Sequence, residues 1–296
     1  MLLALFGPTA VGKTDVALAV ARRLRERGER PVAVSADALQ VYRGLEVLTG
    51  VASPEQQREL EHRLVSFLPI HARFSAGEYA RLAHAEIDDL LADDAAPIVV
   101  GGTGLYLRAA LADLDLKPAP PDELRHHWEE QMLTRGPEAL HDELTRRAPW
   151  AAGRVDRNDR SRIIRLLELH DLGELEAPDE SRPSQLWTSE TRHPTRLVGL
   201  TMARDALYER IDARVDAMVA AGAVDEVRRA HAAGASETAR KALGFEELLA
   251  GDLEAMKRRT RNYAKRQLTW MRKLPGAELM DLTGSTPDEA AERIVA

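Results

Sequence analysis

Eight residues near the start of the chain, Gly7-Pro8-Thr9-Ala10-Val11-Gly12-Lys13-Thr14, carry the pattern G-x-x-x-x-G-K-[ST]. That pattern cradles phosphate groups. Its glycines let the backbone curl so that successive N–H groups point inward at phosphate oxygens. A helix starting near Lys13 adds the positive end of its dipole. Lys13 brings a full charge, and the Thr14 hydroxyl suits Mg²⁺. The chemistry implied is the grip of a diphosphate or triphosphate. A second reactive candidate is Asp37, within Ser35-Ala36-Asp37-Ala38-Leu39-Gln40-Val41-Tyr42-Arg43-Gly44. Most P-loop hydrolases hold Mg²⁺ with an aspartate at the end of an apolar strand. Here the expected strand at 96–100 runs into Gly101-Gly102-Thr103-Gly104, with no carboxylate. A motor-type or switch-type NTPase is therefore disfavoured.

The elements that must position these residues are legible from their periodicity. An apolar run, Leu2-Leu3-Ala4-Leu5-Phe6, precedes the phosphate loop, and Val16, Ala17, Leu18, Val20, Ala21 and Leu24 follow it at helical spacing. Gly28 stops that helix. Further strands are predicted at 31–36, 96–100 and 196–200, with a late one at 278–282. A helix follows Ser75-Ala76-Gly77-Glu78, which has capping-box spacing. Apolar strands alternating with helices predict an α/β fold, a P-loop NTPase-like parallel sheet flanked by helices. The carboxyl ends of such strands line the ligand crevice, so Asp37 is expected to face the phosphate loop.

Residues 113–194 break the alternation. They hold charged helical stretches at 122–134, 138–147 and 158–172, then a polar, proline-bearing stretch at 176–194. The reading is a helical insertion at 113–194 inside a core formed by 1–112 and 195–296. The tail is mostly helical, at 205–233 and 256–274. The second of these helices has an apolar stripe at Met256, Tyr263, Trp270 and Leu274, expected to be core. Its other positions include Lys257, Arg258, Arg259, Arg261, Lys265, Arg266, Arg272 and Lys273, with no acid between Glu254 and Glu278. These eight basic residues are either a solvated helix face or a contact surface for a phosphate backbone.

Composition bounds the rest. The chain has 296 residues, 44% apolar and 30% charged, as in a soluble globular protein. The absence of cysteine excludes disulfides and thiolate metal sites and fits a cytoplasmic location. Gly7 and Pro8 interrupt the first apolar run too early for a membrane span or signal peptide. A net charge of −7 argues against bulk nucleic-acid binding but leaves room for a local basic groove.

Six blocks together resemble the bacterial tRNA dimethylallyltransferases, the tRNA isopentenyl-diphosphate transferase family. They are GPTAVGKT, SADALQVYRG at Ser35–Gly44, GGTGLYLRA at Gly101–Ala109, RNDRSRIIRLLEL at Arg157–Leu169, KALGFEEL at Lys241–Leu248 and RNYAKRQLTWMRK at Arg261–Lys273. They span nearly the whole chain in family order. The resemblance implies transfer of a dimethylallyl group from its diphosphate to N6 of the adenine beside the tRNA anticodon. The P-loop would then hold that diphosphate, with Mg²⁺ near Thr14 as cofactor and Arg214 reaching the pyrophosphate. Asp37 would be the general base, assisted by Thr14 and Thr103. Asp37, Ala38, Leu39, Gln40 and Thr103 would hold the target nucleotide. Arg125, Ser161, Arg162, Ile163, Ile164 and Arg165, with Arg240, Lys241, Ala242, Leu243, Gly244 and Phe245, would contact tRNA. The insertion would clamp the anticodon stem-loop around an extruded adenine. A monomer is expected.

Three departures from the family pattern stand out. Ala38 replaces the serine after the aspartate. The family's Gly-Thr-Ala-Lys-Pro stretch becomes Leu48-Thr49-Gly50-Val51-Ala52-Ser53-Pro54, without its lysine. A Gln-Arg pair becomes Ser161-Arg162. Rival readings are an adenylate isopentenyltransferase acting on free AMP, a P-loop small-molecule kinase, and a non-catalytic tRNA-binding protein. The insertion and the late basic block weigh against the first two.

Overall fold

The computed structural model describes residues 2–177 and 185–296. The chain divides into two compact units, one of residues up to 114 together with 184–296, the other of 115–183.

The larger unit is built on six parallel strands: β1 (Leu2–Phe6), β2 (Arg30–Ala36), β3 (His62–Arg63), β4 (Ala95–Gly101), β5 (Thr195–Thr201) and β6 (Glu278–Asp281). Their order across the sheet is β3-β2-β4-β1-β5-β6. The five residues of β1 are all buried, as a central strand covered on both faces requires. Strands expected at 31–36, 96–100, 196–200 and 278–282 are present within a residue or two. Two-residue β3 has no sequence signal of its own; it exists because β2 offers a free edge, where Ala33 and Val34 pair with His62 and Arg63.

Register decides where the site lies. Phe6 and Ala36 both pair with Gly101, from the two sides of β4. Strands β1, β4 and β2 therefore end flush. The P-loop after Phe6, Asp37 after Ala36 and Thr103 after Gly101 leave the sheet at one edge. A β-carbon on Gly101 would lie 2.3 Å from the Ala36 carbonyl oxygen, so only glycine permits this approach.

Helices α1 (Lys13–Glu26), α2 (Glu46–Thr49), α3 (Pro54–Glu59), α4 (Ala76–Ala92) and α5 (Gly104–Leu111) belong to the first half of the unit. The capping box expected before α4 is formed: Ser75 Oγ accepts from Glu78 N, and Glu78 accepts from Ser75 N. On α1 the buried face is mainly small, Ala17, Ala19 and Ala21 beside Val16 and Val20, so the helix packs closely on the sheet. Burial of each valine or leucine there contributes roughly 1.5–3 kcal/mol. Buried Glu226 accepts from the amides of Val47 at 2.9 Å and Leu48 at 2.8 Å, which pins the start of α2.

The smaller unit holds α6 (Asp122–Arg147), α7 (Pro149–Ala152) and α8 (Arg160–Asp171). Its core is Trp128, Met132, Leu140, Leu144, Ile163 and Leu167. The interruption expected between 134 and 138 falls at Gly136, whose φ of 78° breaks the helix ahead of Pro137. The unit ends at 183 rather than 194. Arg192 belongs with the sheet, since its N–H donates to Leu111 O at 2.8 Å and its guanidinium pairs with Asp88 and Asp113. Part of the polar stretch at 176–194, residues 178–184, lies outside the described residues.

The chain ends in α9 (Arg204–Ala220), α10 (Ala223–Ala232), α11 (Phe245–Ala250), α12 (Leu253–Met271) and α13 (Pro287–Val295), all with the sheet. The helix expected at 205–233 is two, divided at Gly222 with φ 94°. Among the described residues no helix is long and apolar enough to cross a membrane.

Candidate active site

A cavity of about 850 Å³ opens at the carboxyl edge of the sheet, within the larger unit. Its size suits a small-molecule ligand. The P-loop forms one end. Ala10 and Gly12 hold φ values of 65° and 103°, which turn the loop back on itself before α1. Among the described residues, the backbone N–H groups of Ala10, Gly12, Lys13, Thr14 and Asp15 have no protein acceptor. These are the free donors that a helix N-terminus presents to an anion.

Lys13 lies across this loop. Its Nζ donates to the carbonyls of Gly7 and Pro8, both at 2.9 Å. Burial pushes its pKa down to about 7; the Arg214 guanidinium lowers it further, and Asp37 opposes both. Burial likewise depresses Arg214, whose Nε is buried without a partner. Arg210, one helical turn earlier on α9, also lines the cavity, and its Nη2 sits near Gly12. Among the described residues no carboxylate forms an ion pair with Lys13, Arg210 or Arg214. Three converging basic side chains, none of them tied up in an ion pair among the described residues, make a site for a polyanion.

Asp37 lines the same cavity. Its Oδ1 accepts from Leu39 N at 2.9 Å, a tight turn that holds the carboxylate at the end of β2. Oδ2 has no protein donor among the described residues. Thr103, at the end of β4, places its hydroxyl 3.3 Å from the Tyr263 hydroxyl. Burial first, and then the negative charge of Asp37, push Tyr263 up to about 12, so it stays a protonated donor at neutral pH. The remaining wall includes apolar Leu48, Val51, Val215, Met218 and Met256. The cavity thus joins an anion grip, a free carboxylate oxygen and an apolar chamber.

The structure brings Thr9, Ala10, Gly12, Lys13, Thr14, Asp37, Ala38, Leu39, Gln40, Thr103, Arg214, Lys241 and Leu243 to this cavity. Of the other loop residues expected to bind phosphate, Val11 is buried in the core, and Gly7 and Pro8 turn their carbonyls to Lys13. Gln40 is committed internally: Oε1 accepts from Ser35 Oγ at 2.9 Å, and Nε2 donates to Gly50 O at 3.1 Å. Ala242 and Phe245 are buried in the core beside Tyr42, and Gly244 turns the chain at φ 95°. Arg240 pairs with Glu246 at 2.9 Å. In the smaller unit, Ser161 and Arg162 are exposed, while Ile163 and Ile164 are core. The side chains of Ile163, Ala242 and Phe245 therefore offer no surface to a partner. Arg125 and Arg165 both turn to buried Glu168.

Three site residues escaped sequence reasoning: Arg210, Tyr263 and Gln267. Arg210 is legible in hindsight, because its i, i+4 spacing to Arg214 puts both on one face of α9. Tyr263 was expected as core and is half-buried at the cavity wall. The basic face of α12 is also partly neutralised from distant sequence. Lys257 meets Asp216 at 2.7 Å, Arg259 meets Glu247 at 2.6 Å, and Arg261 meets Asp212 at 2.7 Å.

Comparison with known proteins agrees with this geometry. The IPP transferase family profile matches residues 40–274. A tRNA dimethylallyltransferase of Thermobifida fusca is 38% identical over 92% of this chain and 87% of its own length. One from Kineococcus radiotolerans is 38% identical over 99% of this chain and 95% of its own. The crystal structure of a tRNA isopentenylpyrophosphate transferase from Bacillus halodurans superposes with a TM-score of 0.70 at 32% identity, covering 99% of this chain and 93% of that one. The sheet order, the cavity at its carboxyl edge and these matches lead to one conclusion: the chain belongs to the IPP transferase family.

Proposed function

We propose that this protein transfers the dimethylallyl group of dimethylallyl diphosphate to N6 of the adenine beside the anticodon of tRNA, releasing pyrophosphate. One observation carries the reading: the P-loop cations and the free Oδ2 of Asp37 share a single cavity. The C1–O bond of the substrate breaks and the N6–C1 bond forms. The bonding pair leaves on pyrophosphate, and one N6 proton passes to the Asp37 carboxylate. Departure builds negative charge on the diphosphate, which Lys13, Arg210, Arg214 and the loop amides stabilise. An adenine amine is a poor nucleophile, because its lone pair is delocalised. Proton removal by a placed carboxylate offsets that. Tyr263 and Thr103 supply hydroxyls that fix the acceptor face.

Mg²⁺ fits the donor set. Among the described residues there is no cluster of three or more acidic or histidine side chains that would cage a metal by itself. Mg²⁺ binds through few protein oxygens plus phosphate oxygens and water. Thr14 supplies such an oxygen beside the loop. The ion would neutralise the leaving group.

The unit of residues 115–183 is proposed to clamp the anticodon stem-loop, presenting Ser161 and Arg162. A monomer acting in the cytoplasm completes the reading. A mononucleotide acceptor needs no such unit, which disfavours the AMP-modifying alternative. The test is mass spectrometry of nucleosides after incubation with dimethylallyl diphosphate, Mg²⁺ and either tRNA or AMP. A dimethylallyl-adenosine mass in tRNA supports the proposal; label only in AMP refutes it.

A further inference from the structure

The chemistry proposed above uses Tyr263 of α12 but gives no task to Gln267, one turn further along the same helix. Three side chains on one face of that helix meet the turn between β4 and α5. Tyr263 reaches the Thr103 hydroxyl at 3.3 Å. Gln267 donates from Nε2 to Gly102 O at 2.7 Å. Trp270 packs so closely on Gly104 that a β-carbon there would lie 2.1 Å from its ring. The spacing is i, i+4, i+7, one stripe of a helix.

Gln267 alone also reaches the P-loop. Its Oε1 accepts from Thr9 N at 2.8 Å. It is buried, and both ends of its amide are satisfied by backbone groups. The partners fix its orientation: an N–H can only donate and a carbonyl can only accept. A β-carbon on Gly102 would lie 2.3 Å from Gln267 Nε2, so the glycine makes room for this amide. The ladder between β1 and β4 ends with Phe6 opposite Gly101. Gln267 ties the two chains together beyond that end.

We propose that Gln267 is a positioning residue that sets the separation between the P-loop and the Gly102–Thr103 turn, and hence between the departing diphosphate and the acceptor amine. The inference rests on the dimethylallyl-transfer reading. Thr9 N is taken by Gln267 and Val11 N by Pro8 O, so the diphosphate is held by the amides of Ala10, Gly12, Lys13, Thr14 and Asp15, none of which the bridge engages. Displacement of about 1 Å at a reacting pair costs on the order of 10²-fold in rate.

The experiment compares the parent with Gln267→Met, which keeps the length of the side chain without its amide. Gly102→Ala, which keeps Gln267 but crowds it off the carbonyl while its methyl lies 3.2 Å from Gly7 O and 3.4 Å from Lys13 Nζ, is the second variant. Measured are kcat for tRNA modification and Kd for inorganic pyrophosphate, with thermal melting as the folding check. Both variants are expected to lose roughly 10–100-fold in kcat while pyrophosphate affinity stays within about threefold. An unchanged kcat in either folded variant overturns the bridge. So does a loss of pyrophosphate affinity equal to the loss of kcat, which would make Gln267 part of the anion grip. Should Gln267→Met fail to fold, Gly102→Ala decides alone. A parent protein that labels neither tRNA nor AMP overturns the transfer reading instead, and pyrophosphate binding by the parent separates that failure from misfolding.

Discussion

Arg125 Nε lies 2.6 Å from Glu168 Oε1, and Nη2 of the same guanidinium donates to Oε2 at 3.0 Å. The Glu168 side chain is fully buried and Arg125 only partly exposed. The arginine is therefore structural before it is anything else. Arg165, at 3.5 Å from the same carboxylate, also donates to the carbonyls of Lys117 and Pro118.

Removing Arg125 leaves a buried carboxylate short of its main counter-charge. Burial already raises the Glu168 pKa, with the two arginines working against that rise. Arg125→Ala is expected to destabilise the smaller unit by about 3 kcal/mol, the low end for a broken buried pair, because Arg165 remains. Urea unfolding of the full chain checks this. A variant as stable as the parent would return Arg125 to the role of a free RNA contact.

Lys13 links the anion grip to pH. Its pKa is pushed down to about 7 in the unliganded protein. A bound diphosphate favours the protonated form, so binding above pH 7 must draw a proton from solvent. Pyrophosphate affinity is expected to fall as pH rises from 6.5 to 8.5, with uptake approaching about one proton at the upper end. Titration calorimetry in buffers of different ionisation enthalpy measures the uptake. Lys13→Arg should abolish the difference, since an arginine stays charged. Protonation of the ligand itself contributes equally to both proteins.

Asp37→Ala separates chemistry from binding. Turnover is expected to drop ~10²–10⁴-fold while tRNA affinity holds. Single-turnover assays and filter binding read the two quantities. Normal turnover in the variant removes the general-base role.

Gly101→Ala attacks the register. The new β-carbon would lie 2.3 Å from Ala36 O and 2.7 Å from Ala36 Cβ, both on rigid neighbouring strand. A loss of about 1–3 kcal/mol in stability is expected. Asp37 follows Ala36 directly, so turnover should fall as well. A variant with parental melting temperature and rate would mean that β2 and β4 can separate freely.

The basic helix predicts a divided salt response. Arg258 and Arg272 are exposed, with no carboxylate partner among the described residues, whereas Lys257 is held by Asp216. If α12 and the residue that caps it touch RNA backbone, Arg258→Ala and Arg272→Ala should each reduce the slope of log affinity against log salt by about 0.7–0.9. Lys257→Ala should leave the slope alone. A flat response in all three variants marks an ordinary solvated face.

Strong local codes were readable without a fold. The phosphate loop at 7–14, the capping box at Ser75 and Glu78, and the helix break at Gly136 and Pro137 each depend on neighbours within one turn of chain. The central strands were readable because burial on both faces leaves continuous apolar runs. Strand β3 was not, since two residues carry no periodicity and need the free edge of β2. The division at Gly222 is not legible in the sequence, because apolar spacing continues on both sides of it.

The chain by itself determined that a phosphate-loop motif, a strand-end aspartate and a glycine-rich turn exist, and that a helical unit interrupts the sheet. Local backbone chemistry writes those features directly into residue order. Only the tertiary structure decided that Phe6, Gly101 and Ala36 end flush, that Arg210 joins Arg214 over the loop, and that Gln267 bridges Thr9 to Gly102. The last pair of contacts spans 258 and 165 residues of sequence. Contacts at that distance follow from the way helices pack on a sheet, and no spacing rule along the chain encodes which helix face arrives where.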